Sequence, residues 1–316
     1  MTEMIVPKVS VCIPVYNGKQ FLQQTVDSAL RQSFPDFEIL IIDNASTDGT
    51  TKLAEEMAAR NSKLRLIINN HNIGLVGNLN RCLEHAQGTY IKFLMADDML
   101  LPGCLEQMMA ALELHQSVKL VTCGRLIIDA LGSNLGVKVY MREHGIVQGK
   151  KVITRCLFGG NYIGEPSAVM FRKCDITGAF REDMPQLSDM DMWFQLLEQG
   201  DLLSMEKPLC AFRTHAAQMT HANIKSGMLV EDNIKLFETY SQKPYLESTW
   251  LLKLQHKLLM TYRIWISRQY ISDIRREMLL KKYASRFVYK FMPVADLVYK
   301  LKSRVAGVKY QTTSSQ

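Results

Sequence analysis

The feature that most restricts the fold is an alternation: apolar runs of strand length recur through the first 123 residues, separated by segments of helical period. The runs are "KVSVCIPVY" (8–16), "FEILIID" (37–43), "KLRLIIN" (63–69), "TYIKFLM" (89–95) and "VKLVTC" (118–123). Between the first two, Phe21, Leu22, Val26, Ala29 and Leu30 share a helical face, and before the fifth Leu105, Met108, Met109 and Leu112 do the same. This order predicts an α/β fold built on a mostly parallel, Rossmann-like sheet with helices on both faces. Such sheets take their ligand beyond the carboxyl ends of the strands. The polar clusters stand there: Asn17 and Gly18 after the first run, Asp43, Asn44 and Asp48 after the second, Asn69 to Asn72 after the third, Asp97 and Asp98 after the fourth.

Beyond residue 124 the pattern changes. Residues 124–145, "GRLIIDALGSNLGVKVYMREHG", suggest a hairpin about a Gly/Ser/Asn turn, residues 148–158 a helix, "SAVMFR" (167–172) a strand, "SDMDMWFQLLEQG" a helix stopped by Gly200, and "PLCAFRTH" (208–215) a last strand. From about residue 225 the pattern is helical and basic, so the chain divides into an α/β domain (1–224) and a helical C-terminal region (225–316). From Leu251 onward 14 Lys/Arg face 3 Asp/Glu, a net +11, whereas residues 1–250 carry 24 against 28, or −4. A basic tail suits anionic lipid, nucleic acid or plain solubility. Its Lys and Arg are interleaved with Leu, Met and Tyr at helical spacing, which argues against nucleic acid.

The seven cysteines are scattered without a CxxC or zinc-ligand spacing, as expected of small buried hydrophobes in a reducing compartment. The N-terminus reads as a first core strand rather than a secretion leader, and no apolar stretch reaches the roughly 18–20 residues of a membrane span. The expected location is cytoplasmic, with peripheral contact to the inner face of the plasma membrane.

Adjacent Asp97 and Asp98 close an apolar strand just before Pro102. Two like charges side by side push one carboxyl toward protonation unless a cation or donors relieve them. Either they cap a following helix, or they hold a divalent metal. Neither GxGxxG nor GxxxxGK[ST] occurs, and "YNGKQF" after the first strand has a single glycine. A diphosphate here would lack a glycine cradle, and Mg²⁺ or Mn²⁺ on a carboxylate would supply the missing positive charge.

"VSVCIPVYNGKQFLQQTVDSALRQSF", "EILIIDNASTDGT", "NNHNIGLVGNLN", "GTYIKFLMADD" and "IGEPSAVMFR" together resemble the family 2 glycosyltransferases, which have the GT-A fold, over about residues 8–220. The resemblance implies an inverting, metal-dependent transferase that moves a sugar from a nucleotide-diphospho-sugar, UDP-linked, to a hydroxyl of a glycan or lipid-linked saccharide. It implies that Pro14, Val15, Tyr16, Asp43, Asn72, Asn78 and Asp97 bind the nucleotide-sugar, that Asp98 and His215 hold Mg²⁺ or Mn²⁺, and that Asp189 is the general base. The Gly164–Glu165–Pro166 turn would shape the sugar or acceptor pocket.

The chain departs from the family pattern where Met95 stands in place of the frequent first Asp of DxDD, Gly77 in place of a frequent Arg, and Ser188 in place of a frequent Glu.

Each assignment has a structural rival. Asp43 and Asp48 can cap a turn; Asn72 can belong to a polar turn; Asp189 can complement a helix dipole; His215 can simply pack. Ser188 and Asp191 resemble a capping box, and Trp193 lies on an apolar helix face. Two other functions remain open, a nucleotidyltransferase making nucleotide-sugars and a non-catalytic nucleotide-sugar-binding subunit.

Overall fold

The structure is a computed structural model that describes residues 6–141, 143–215, 228–246 and 248–293. β1 (Val9–Val15) and β2 (Phe37–Asp43) are buried at every position. Strands covered on both faces read as continuous apolar runs, which is why they stand out in the sequence. α1 (Lys19–Leu30) joins them; α2 (Thr50–Arg60), β3 (Leu64–Ile68), α3 (Gly74–His85) and β4 (Tyr90–Phe93) follow. β3, β2, β1 and β4 lie side by side in that order and run parallel.

After β4 come a two-residue strand β5 (Met99–Leu100), α4 (Cys104–Leu114) and β6 (Val118–Ile128). β6 turns back at residues 129–133 into β7 (Asn134–Lys138), the expected hairpin. β8 (Gly145–Val147), α5 (Gly149–Gly159), β9 (Val169–Arg172), α6 (Ser188–Gln199) and β10 (Asp201–Arg213) complete the sheet. The parallel arrangement is interrupted by β9, which lies antiparallel between β4 and β6, while β6 and β10 again run parallel. β10 begins at Asp201, well before the run at 208–215; its first half alternates half-buried and buried positions and then exposes Glu206 and Lys207, so it lacks a continuous apolar signal.

Successive residues of β1 and β2 serve opposite faces. Cys12, Leu40 and Ile42 join α3, α5 and α6 in one core; Val11, Ile13, Ile39 and Ile41 join α1, α2 and α4 in the other. Trp193 is fully buried in the first core, 5.6 Å from the Phe171 ring and 6.1 Å from the Phe180 ring, as its apolar helix face predicts. Six cysteines are buried, Cys174 is exposed, and all seven are free thiols.

α7 (Met228–Tyr240), α8 (Trp250–Ile266) and α9 (Asp273–Tyr283) form the helical region. α7 serves two cores: Leu236 and Tyr240 pack with α5 and α6, whereas Val230 and Ile234 pack with Met260, Ile264, Leu279 and Leu280. The division at 224/225 lies outside the described residues.

Candidate active site

Val15 and Asp43 end their strands in register, and the Asn44 N–H donates to the Val15 carbonyl at 2.8 Å. Pro14 and Val15 are buried, and Tyr16 emerges 48% exposed. Asp43 is fully buried: Oδ1 accepts the Ser46 N–H (3.3 Å) and hydroxyl (2.5 Å), and Oδ2 accepts the Thr51 hydroxyl. The Ser46 Oγ accepts the Asn17 N–H at 2.9 Å, and Asn17, in the left-handed region at φ 51°, accepts the Thr47 N–H at 2.8 Å. These bonds tie the loops after β1 and β2 together. Asp48 is the turn cap its rival assignment describes, accepting the Thr50 N–H at 2.9 Å and the Lys19 N–H at 3.2 Å.

A ladder of amides crosses the ends of β2 and β3. Asn44 Nδ2 donates to Asn72 Oδ1 (2.8 Å), Asn69 Nδ2 donates to both Asn44 Oδ1 and Asn78 Oδ1 (3.0 Å each), and Asn78 Nδ2 donates to the Ile42 carbonyl (2.9 Å). Asn78 is buried in α3 and Asn72 is exposed at the rim.

Asp97 and Asp98 lie between β4 and β5 and cap no helix, since Gly103 occupies the N-cap of α4. Asp98 is 1% exposed; its Oδ1 accepts the Arg213 N–H at 3.0 Å, and its Oδ2 is buried without a hydrogen-bond partner among the described residues. Burial, and then the Asp97 charge beside it, push this carboxyl up to about 8, against the opposing pull of the Ser167 side chain and the Arg213 N–H. Asp97 keeps 29% of its side chain exposed, and its Oδ2 lies 3.0 Å from His215 Nε2. The His215 ring sits 5.0 Å from that of Phe21.

Beneath them Arg213 is fully buried. Its Nε donates to the Asp97 carbonyl (2.8 Å), Nη2 to Gln24 Oε1 (2.9 Å) and Nη1 to the Asp129 and Ala130 carbonyls (3.3 Å each). One side chain thus fixes the carboxylate loop to α1 and the β6–β7 turn.

The Gly164–Glu165–Pro166 turn reaches the same place. Glu165 pairs with buried Arg125 and accepts the Tyr140 hydroxyl at 2.6 Å. Gly164 has φ 123°, and a Cβ there would come within 2.8 Å of Arg125 Nη2, so glycine is required by both conformation and space. Two residues on, the Ser167 Oγ accepts the Met95 N–H at 3.0 Å.

Asp189 opens α6 and its Oδ1 accepts the Met190 N–H at 2.7 Å. It keeps some accessible surface but is packed round by protein, and lost hydration pushes it up to about 6. The expected capping box does not form: Leu187 is the N-cap and makes no side-chain cap bond. Asp191 is instead drawn into the core, accepting Gln195 Nε2 (2.7 Å) and the Tyr240 hydroxyl (3.2 Å).

Among the described residues no group of three or more His, Cys, Asp or Glu forms a ready metal cage. Mg²⁺ and Mn²⁺ at phosphate sites need less, typically one or two carboxylates with water and phosphate oxygens. The unpartnered Oδ2 of Asp98, next to the accessible Asp97–His215 pair, fits an ion of that kind.

Sequence reasoning missed Arg213, Arg125 and Ser167 as structural members of the site, and it placed Asn44 and Asn69 among the polar strand-end clusters without giving them a role. The available signal was the charge inside "PLCAFRTH" and inside "TCGRLII", each an Arg interrupting a core strand.

The sequence profile of glycosyl transferase family 2 matches residues 10–173. A putative glycosyltransferase, EpsE, from Bacillus subtilis is 34% identical over 61% of this chain and 68% of its own length. Among solved structures, S. aureus TarS 1–349 in complex with UDP-GlcNAc superposes with a TM-score of 0.55 at 17% identity, over 87% of this chain and 73% of that one. A mannosyltransferase from Pyrobaculum calidifontis in complex with GDP-Man and Mn²⁺ reaches 0.58 at 17% identity, over 96% and 81%. These likenesses place the sheet described above in the GT-A fold and displace both the nucleotidyltransferase and the non-catalytic subunit. The chain belongs to glycosyltransferase family 2 and is a glycosyltransferase enzyme.

Proposed function

We propose that this enzyme is an inverting, metal-dependent transferase that moves a sugar from a nucleotide-diphospho-sugar, UDP-linked, to a hydroxyl of a glycan or lipid-linked saccharide. The observation that carries this reading is the buried Oδ2 of Asp98, without a hydrogen-bond partner among the described residues, beside the accessible Asp97. Asp98 and His215 are the ligands assigned to Mg²⁺ or Mn²⁺, and Asp97 lies against the donor. When bound, such an ion offsets the charge of the diphosphate leaving group.

Pro14, Val15 and Tyr16 line one side of the nucleoside. Asn72 meets it at the rim, with Asn78 holding the ladder behind it. Asp43 reaches a ribose hydroxyl by exchanging its bond to Ser46 or Thr51, one hydroxyl for another. Asp189 takes the proton of the acceptor hydroxyl, which attacks from the face opposite the departing diphosphate and so inverts the anomeric centre. A carboxyl raised to about 6 is a stronger base than a free Asp and still ionised at neutral pH. The neighbours solved with UDP-GlcNAc and with GDP-Man and Mn²⁺ support a nucleotide-sugar donor and a divalent ion. The enzyme works peripherally on the cytoplasmic membrane face; no helix among the described residues is long and apolar enough to cross the bilayer.

Calorimetric titration with UDP tests the metal role. Binding should appear with Mn²⁺ and vanish in EDTA; undiminished affinity in EDTA would remove Asp98 and His215 from metal binding.

A further inference from the structure

Among the described residues α8 is covered on one side only. His256, Met260 and Ile264 face inward, with the His256 ring stacked 3.8 Å from that of Phe237. On the outer side Trp250, Leu254 and Leu258 follow one another every four residues, 76%, 44% and 41% exposed, and Leu251 beside them is 57% exposed. α9 repeats the pattern with exposed Ile274 and Met278. Residues four apart share a helical face, so the α8 side chains form one continuous stripe. Lys253 and Lys257 are exposed on the same helix, and Lys281 and Lys282 end α9.

We propose that the Trp250–Leu251–Leu254–Leu258 stripe docks α8 onto an anionic bilayer surface, with Lys253 and Lys257 seated among the lipid headgroups. An exposed apolar stripe with lysines on the same helix, Trp at one end and few acids nearby is the composition of a helix lying in a membrane interface. Charge selects the occupant. α8 carries exposed Lys253 and Lys257 and no Asp or Glu, so a second copy on this face would bring like charge against like charge, whereas an anionic surface complements it. The inference specifies the peripheral attachment given under the proposed function and uses none of the transfer chemistry. Vesicle binding is measured without donor, so either can fail alone.

The test is co-sedimentation of the full chain with phosphatidylcholine vesicles, with and without phosphatidylglycerol, at low and high salt. Binding should require phosphatidylglycerol, weaken in salt, and shift Trp fluorescence to the blue in the wild type but not in Trp250→Ala. Leu254→Glu with Leu258→Glu should weaken binding about tenfold or more. Lys253→Glu with Lys257→Glu should weaken it by about fivefold or more for each lysine. The lysine pair and Trp250 are exposed, so their variants keep the test sound if the leucine pair fails to fold; cooperative thermal unfolding without ligand reports folding.

Equal binding to neutral vesicles, or no effect of these variants, overturns the proposal. So does a concentration-dependent dimer that the leucine variant abolishes in the absence of vesicle binding. Vesicle binding that appears only after removal of residues 294–316 overturns it too, because the chain's own terminus would then cover the stripe.

Discussion

The loops after β2 and β3 and the carboxylate loop after β4 lie at the same edge of one sheet, yet they treat their polar atoms in opposite ways. After β2 and β3 the side chains satisfy one another: Asp43 is saturated by Ser46 and Thr51, and Asn44, Asn69, Asn72 and Asn78 form a ladder. After β4, Asp98 has a buried oxygen without a hydrogen-bond partner among the described residues, Asp97 is accessible, and on α6 Asp189 is crowded and poorly hydrated. A saturated network contributes shape. A carboxylate short of partners is costly in the free enzyme and gains most when a ligand supplies them.

The comparison breaks most visibly at the open end. Asp189→Asn should lower kcat by about 10²- to 10⁴-fold with UDP affinity nearly unchanged, since a base acts on the acceptor only in the transition state. Asp98→Asn should abolish turnover with Mn²⁺ while the protein stays folded, because the amide keeps the shape and the bond to the Arg213 N–H. Wild-type turnover in either variant would return that residue to a structural role. Asp191→Asn, close to Asp189 in sequence, should cost stability instead, as its oxygens are engaged by Gln195 and Tyr240.

At the closed end the effect should be on stability. Asn78→Ala leaves the Ile42 carbonyl and an Asn69 N–H without their partner in a buried setting, a cost of about 2–3 kcal/mol. Urea unfolding measures it. A loss below about 0.5 kcal/mol would mean the ladder is not the support it forms here.

The two ends also differ in how far the sequence discloses them. The alternating sheet was legible because β1 and β2 are buried on both faces and therefore apolar without interruption. Asp97, Asp98 and Asp189 could be singled out because a charge at a strand end or helix start demands an explanation. Arg213 was passed over for a physical reason: the partners described for it include the carbonyls at 97, 129 and 130 and the amide of Gln24, uncharged groups remote in sequence. Asn44 and Asn69 stand in the polar clusters after β2 and β3 but look like ordinary turn residues until four asparagines from two loops and a helix meet.

A pH series sharpens the contrast further. The Asp189 carboxyl is raised to about 6 in the folded enzyme from about 4 in a free chain. The native state therefore holds this proton more tightly, and the stability it contributes is complete below about pH 4 and lost as pH rises through about 6. After allowing for residual solvent contact, Asp189→Asn should flatten the pH dependence of unfolding between those limits by about 1–2 kcal/mol. In the wild type kcat/KM should rise through about pH 6, and the residual activity of the variant should lack that limb.

The smallest effect is expected where the two behaviours meet. Asn72 belongs to the ladder, accepting Asn44 Nδ2 and the Gly74 N–H at 2.9 Å, but stands exposed at the rim. Water can replace both bonds when its side chain is removed, so Asn72→Ala should cost less than about 1 kcal/mol of stability, well below the cost at Asn78. Its value lies in the second measurement. If the nucleoside lies against this rim, UDP affinity should fall about three- to tenfold, an effect out of proportion to the change in stability, through one lost neutral hydrogen bond. A variant that loses stability as Asn78→Ala does, with UDP affinity intact, would place Asn72 wholly within the closed network and move the donor contact elsewhere along the loop.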